Sequence, residues 1–139
     1  MTRASYFDPV NGKSVEIQQC SGEDMPGLLE VILALRSQRG HPTLELTIAG
    51  GATLSLSTDG ELAYLVWTSS LGGSFHSVGN DQNKGEPLIF DYFGSWSEAP
   101  QQYLISLEDA VLCAQRFFLT GTADTDRVLF ERDLLELSL

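Results

Sequence analysis

The chain has 139 residues, of which 42% are hydrophobic and 19% are charged, and this composition is typical of a folded globular domain. Nineteen acidic residues oppose eight lysines and arginines, which gives a formal net charge of -11. Such a charge argues against nucleic acids and anionic membranes as partners and favours basic proteins, although acidity alone also serves solubility.

The sequence carries no targeting or membrane signal that would place the protein elsewhere than the cytoplasm. Mixed polar and aromatic residues follow Met1 directly, unlike the apolar core of a signal peptide. No apolar run approaches the roughly 18 residues that span a bilayer. We therefore expect a cytoplasmic protein with no membrane partner, forming one domain over residues 1–139. Cys20 and Cys113 are expected to be free thiols, with Cys113 in the core.

The N-terminal part predicts two extended pieces and a helix. Residues 5–19 indicate two short strands around a turn at residues 8–12. The first helix is predicted to begin near Asp24, a candidate N-cap, and to end at Gly40. Apolar residues recur along it at helical spacing. They are Leu28, Leu29, Val31, Ile32 and Leu35.

The middle of the chain alternates apolar and polar residues, which predicts an antiparallel meander. Residues 44–48 and 53–57 each place leucines or isoleucine on one face and polar residues on the other. Asp59 and Gly60 favour a hairpin turn into a central strand near residues 61–68. A further strand is predicted at residues 74–78.

The last third has the clearest local signals. Residues 79–85 contain no apolar side chain and predict an exposed loop, followed by a strand at residues 88–93 and an aromatic-rich loop ending at Pro100. Ser106 is a candidate N-cap of a second helix, and Gly121 fits its C-terminal end. Residues 127–131 predict the last strand. The expected fold is α+β, a mostly antiparallel β-sheet (a meander) with two main helices packed on one face.

No pattern in the chain points to catalysis, a metal or a cofactor. His41 and His76 have no cysteine, histidine or aspartate at metal-ligand spacing, so both are expected at surface or half-buried positions without a chemical role. There is no nucleophile elbow and no phosphate-binding loop. Cys113 lies among apolar residues, where nothing activates a thiol. Basic patches of the kind that bind nucleic acids are also absent.

Aromatic residues lie beside carboxylates in residues 91–103, which is the pattern of an interface anchor for a basic partner. We predict a contact surface with acidic rim residues that steer approach. The contact residues are Asp91, Tyr92, Trp96 and Glu98, and the rim residues are Asp81 and Glu86. The alternatives are that Trp96 fills one edge of the core, as expected for Phe90, and that the rim acids belong to a solvated loop.

The ordered features of the C-terminal third resemble the first-numbered family of bacterial polymorphic-toxin immunity proteins. A glycine precedes an apolar strand, and a tyrosine near the end of that strand is followed by a glycine. A loop that contains a proline then leads to a helix with alanines at regular spacing. The helix ends at a Thr-Gly pair, and a last strand follows it. The matching residues are Gly79, Phe90, Tyr92, Gly94, Pro100, Ser106, Ala110, Ala114, Phe117, Thr120, Gly121 and Val128. Members often have a proline shortly after the Thr-Gly stop and a tryptophan in the last strand, where this chain has residues 123–126 (ADTD) and Phe130.

The resemblance implies an immunity protein that binds the C-terminal domain of a cognate toxin and blocks its active site stoichiometrically, without turnover or cofactor. Toxins of this kind commonly act on nucleic acids, and many are deaminases. An acidic adaptor or assembly subunit of a secretion-linked system is the alternative, and it differs in leaving its partner active. A small enzyme would require a pocket that contains His76 and converging carboxylates. Monomer and dimer both remain open.

Overall fold

The computed structural model describes residues 2–8, 13–20, 25–35, 40–48, 51–69, 71–79, 85–123 and 125–133. Within these ranges antiparallel strands predominate and two α-helices are present, which confirms the predicted α+β class. The elements are β1 (Thr2–Asp8), β2 (Lys13–Cys20), α1 (Met25–Leu35), β3 (Leu44–Ile48), β4 (Thr53–Thr58), β5 (Leu62–Thr68), β6 (Ser74–Val78), β7 (Leu88–Tyr92), β8 (Ser95–Ala99), β9 (Ile105–Ser106), α2 (Leu107–Thr120) and β10 (Leu129–Arg132).

The main sheet follows the order β10-β6-β5-β4-β3-β1-β2, and every pairing in it is antiparallel. The middle strand of this order is β4, whereas the predicted central strand, β5, lies next to it in the interior of the sheet. One edge of β5 pairs with β4, and the other pairs first with β9 and then with β6. Between those two partners the Ser77 hydroxyl accepts a hydrogen bond from the Leu65 N–H at 3.1 Å and donates to the Tyr103 carbonyl at 2.8 Å. The Ser77 side chain thus satisfies the backbone N–H of Leu65 at a position where neither neighbouring strand does so.

Both helices pack on one face of this sheet, because the alternating apolar residues of β3, β4 and β5 all point to that side. Phe117 is fully buried at the centre of this core, and Cys113 is buried beside it as predicted. The same cluster receives Ile32 and Leu35 from α1. The strand residues in it are Leu44, Leu46, Leu54, Leu56, Ala63 and Leu65.

The second helix has both of its predicted ends. The Ser106 hydroxyl accepts a hydrogen bond from the Asp109 N–H at 3.1 Å, which satisfies one of the free N–H groups of the first turn. Gly121 adopts the left-handed conformation, and its N–H donates to the Phe117 carbonyl at 2.8 Å. Local sequence therefore fixes both ends of α2.

The opposite face of the sheet is covered by a hairpin of β7 and β8, and here the sequence-based prediction was wrong. Residues 95–99 were expected to form an irregular loop, but they form strand β8 in register with β7. A small apolar cluster joins the hairpin to the sheet. It contains Leu88, Phe90, Ala99 and Leu104, with Leu62 and Tyr64 packed against it.

The remaining boundaries differ little from the prediction. The last strand is Leu129–Arg132, and Val128 before it is buried and forms a bridge to Thr125. The predicted N-cap Asp24 and most of the loop at residues 79–85 lie outside the described residues. Among the described residues, neither helix has the length and apolarity that a membrane crossing requires.

Candidate protein-binding surface on the hairpin

The β7–β8 hairpin turns through two residues with positive φ, Phe93 at 49° and Gly94 at 97°. A two-residue turn with both angles positive has the twist that suits a β-hairpin. Glycine adopts this conformation readily, whereas phenylalanine does so rarely. The Phe93 ring packs edge-on against the Tyr92 ring at 5.2 Å, and the Gly94 N–H donates to Asp91 Oδ1 at 2.9 Å. These two contacts hold the turn in its conformation.

The face of the hairpin turned away from the sheet carries the exposed apolar side chains. Trp96 is 70% exposed and Ile89 is 50% exposed, although both lie within regular strands. Register places Ile89 opposite Glu98 and Asp91 opposite Trp96, so the exposed Glu98 lies on the same face as Trp96. We define this outer face by Ile89, Trp96 and Glu98. An isolated exposed tryptophan beside a carboxylate is a characteristic anchor of protein interfaces.

Asp91 lies on the same face as Trp96, but residues 40–43 bond to it and cover it. The residue is only 4% exposed. Its N–H donates to the carbonyls of Gly40 and His41, and its carbonyl accepts hydrogen bonds from the N–H and the hydroxyl of Thr43. Thr43 is buried too, and its hydroxyl oxygen lies 2.8 Å from that of Ser57 on β4. The segment at residues 40–43 therefore ties the edge of β7 to the main sheet.

The other predicted contact residues are spread around the hairpin. Tyr92 is 42% exposed on the face opposite to Trp96, and its hydroxyl donates to Glu45 Oε2 at 3.5 Å. Burial, followed by the charge of Glu45, raises the pKa of Tyr92. Glu86 is exposed just before β7, where its carbonyl accepts a hydrogen bond from the Gln101 side chain at 2.7 Å. Asp81 lies outside the described residues.

A cleft of about 230 Å³ separates the inner face of the hairpin from β4 and β5. Its lining residues were not identified by the sequence analysis, apart from Tyr92 and Glu98. They are Ser55, Ser57, Tyr64, Val66, Phe90, Tyr92, Ser97 and Glu98. One feature of the sequence does indicate a covered face. The polar face of β4 carries serine and threonine but no charged residue, which is unusual for a strand face that is open to solvent. Ser55 and Ser57 are indeed buried under the hairpin.

His76 is a buried residue outside this cleft. Its Nδ1 lies 2.7 Å from Asp133 Oδ1, and its ring centroid lies 4.1 Å from that of Tyr103. Burial, followed by the charges of Asp133 and Tyr103, raises the pKa of the neighbouring Tyr64 to about 12. In the part of the chain that the structure describes, no three histidine, cysteine or acidic side chains are grouped so as to hold a metal ion.

Comparison with known proteins identifies one family. The family model described as "Immunity protein Imm1" matches residues 16–129, a span that includes both helices, the hairpin and the cleft. The match confirms the resemblance seen in the C-terminal third and extends it to most of the chain. No curated protein sequence matches.

Proposed function

This chain belongs to the Imm1 family of immunity proteins, and on that basis we propose how it recognises and silences its toxin. It binds the C-terminal domain of a cognate polymorphic toxin in the cytoplasm and blocks the active site of that domain in a one-to-one complex. The toxin acts on nucleic acid, and a deaminase fits best among the activities that accompany the family. The inhibitor itself performs no catalysis and uses no cofactor.

The exposed Trp96 on a rigid hairpin is the observation that supports this surface most strongly. A buried aromatic side chain removes about 150–250 Å² from water, so a residue that is 70% exposed leaves about 100–175 Å² for a partner to cover. At about 25 cal/mol per Å² that area corresponds to about 3–4 kcal/mol. This is the scale of an interface hot spot. Because the turn and Asp91 fix the hairpin, little ordering entropy opposes binding.

The charge of the protein supports a basic partner. A domain that processes nucleic acid needs a positive groove for phosphate groups, and a net charge of -11 attracts such a groove. Glu98 lies beside Trp96 and is proposed to pair with a cation of the groove. Glu86 and Asp81 are proposed to act at the rim, where charges accelerate encounter more than they tighten the complex. Rapid capture suits an inhibitor that must act before the toxin does.

Growth of cells that express the toxin tests this proposal. We would express the C-terminal domain of the large protein encoded directly upstream, with and without this chain, and isolate the complex by size exclusion. We expect toxicity that co-expression relieves, together with a one-to-one complex. Trp96→Ala should lose protection, whereas the matched control Leu129→Ala, which removes another exposed apolar side chain on β10, should retain it.

Two results would count against the proposal. A complex that forms while the toxin domain keeps its activity would favour the adaptor or assembly subunit instead. Full protection by Trp96→Ala would show that the toxin binds a different surface.

A further inference from the structure

The cleft beneath the hairpin has a chemistry that differs from that of the outer face. Tyr64, Phe90 and Tyr92 contribute aromatic rings, with the first two centroids 5.8 Å apart. Ser55 and Ser57 line it from the sheet. Glu45 is paired with Ser55 in the sheet and accepts the hydrogen bond of the Tyr92 hydroxyl, so its carboxylate lies beside the cleft. Glu98 borders the cleft from β8, but its side chain belongs to the outer face. The lining residues include no cation.

The size of the cleft limits what it can hold. Pockets for drug-sized molecules measure about 300–1,000 Å³, and this cleft of about 230 Å³ is smaller. A helix of a partner is about 10 Å or more in diameter and does not enter a space of this size. One long side chain of a partner does.

The lining selects among side chains by charge and shape. Aromatic faces attract cations, and a guanidinium group also stacks flat on them. Its N–H groups pair with carboxylates in a planar, two-bonded geometry that an ammonium group cannot reproduce. The Ser57 hydroxyl donates its proton to Thr43, because the single hydroxyl proton of Thr43 is used on the Asp91 carbonyl. Ser57 therefore presents acceptor lone pairs to an entering N–H donor.

We propose that this cleft, defined by Ser55, Tyr64, Phe90, Tyr92 and Ser97 with Glu45 beside it, receives an arginine side chain of the toxin domain. The inference rests on the proposed function and deepens it, since it names a second point of contact and its chemistry. Trp96 supplies an apolar anchor on the outer face of the hairpin, and the cleft captures a cationic residue on the inner face. The toxin domain thus contacts both faces of the hairpin.

Filling the cleft tests the proposal. Ser97 is partly buried and lines the cleft from β8, so Ser97→Phe places a ring where the arginine would enter. We expect affinity for the purified toxin domain, measured by titration calorimetry, to fall at least about 30-fold, as for a hot-spot contact. Glu45→Gln should weaken binding about tenfold while keeping the shape of the side chain. The matched control is Glu30→Gln, an exposed acid on α1 at the opposite face of the sheet, and it should bind like the wild type.

A double-mutant cycle identifies the occupant of the cleft. Each arginine of the toxin domain is replaced by glutamine and tested against wild-type protein and Ser97→Phe. We expect one arginine whose replacement weakens binding to the wild type at least about tenfold and has little further effect on the variant. Wild-type affinity of a folded Ser97→Phe, or loss of affinity without coupling to any arginine, would overturn the inference and leave the proposed function standing. If Ser97→Phe does not fold, the same cycle with Glu45→Gln decides. Failure of the wild-type protein to bind the toxin domain would overturn both.

Discussion

One buried hydroxyl, that of Thr43, contributes two hydrogen bonds to the attachment of the hairpin to the sheet. Thr43→Val removes it with almost no change in shape. The Thr43 side chain is fully buried, accepts a hydrogen bond from Ser57 and donates one to the Asp91 carbonyl, at 2.8 and 3.0 Å. Each buried hydrogen bond contributes about 1 kcal/mol net, so the variant should lose about 2 kcal/mol of unfolding free energy. For a domain of this length that loss lowers the midpoint of thermal unfolding by about 7 °C.

Circular dichroism during heating and urea denaturation measures this effect. Thr53→Val, at a half-buried position on β4, is the control and should change stability by less than about 0.5 kcal/mol. Ser57→Ala removes the donor to Thr43, so the double variant should be destabilised by less than the sum of the two single variants. A Thr43→Val protein as stable as the wild type, or a strictly additive pair, would refute the role assigned to this hydroxyl.

Three further predictions concern binding, packing and pH. Trp96→Ala should keep the unfolding temperature of the wild type, because Trp96 is exposed. The same variant should weaken toxin binding, measured by calorimetry, by at least about 2 kcal/mol. Unchanged affinity would contradict the role of Trp96 as an anchor. Gly79→Ala should lower the free energy of unfolding, measured by urea denaturation, by about 2–3 kcal/mol, because a Cβ there would lie 1.9 Å from the Leu104 carbonyl oxygen. The control Gly85→Ala should be tolerated, because the nearest atom to its Cβ is a side-chain atom of Gln101 at 3.4 Å. Stability should fall as pH rises from about 10 to about 12, since the raised pKa of Tyr64 favours the protonated folded state. This fall should be smaller in Tyr64→Phe, and equal pH profiles would argue against the assignment.

The parts of the fold with local signals were predictable from the sequence. A serine cap and a glycine stop define α2, and alternation of leucine with polar residues defines β3 and β4. Strand β8 was missed because its turn uses Phe93, which rarely adopts positive φ, in place of the usual asparagine or glycine. With a recognisable turn residue, the segment containing Trp96 would have been predicted as a strand.

The candidate surface was predictable by residue type but not by burial. Trp96 and Glu98 are exposed as the sequence analysis required of contact residues, whereas Asp91 is buried by residues 40–43. That pairing joins segments about fifty positions apart, and single-sequence patterns contain no information on such contacts. The cleft was missed for the same reason. The alternating pattern shows that the serines of β4 share a polar face, but it does not show that a hairpin from a distant part of the chain covers that face.

Amide hydrogen exchange of this protein, alone and with its toxin domain, tests the proposed surface most directly. Exchange reports which backbone amides lose access to water or gain stability on binding. The proposal predicts slower exchange across residues 88–99 in the complex, with residues 107–120 of α2 on the opposite face of the sheet unchanged. A stable complex in which α1 and α2 are protected and the hairpin is not would contradict it.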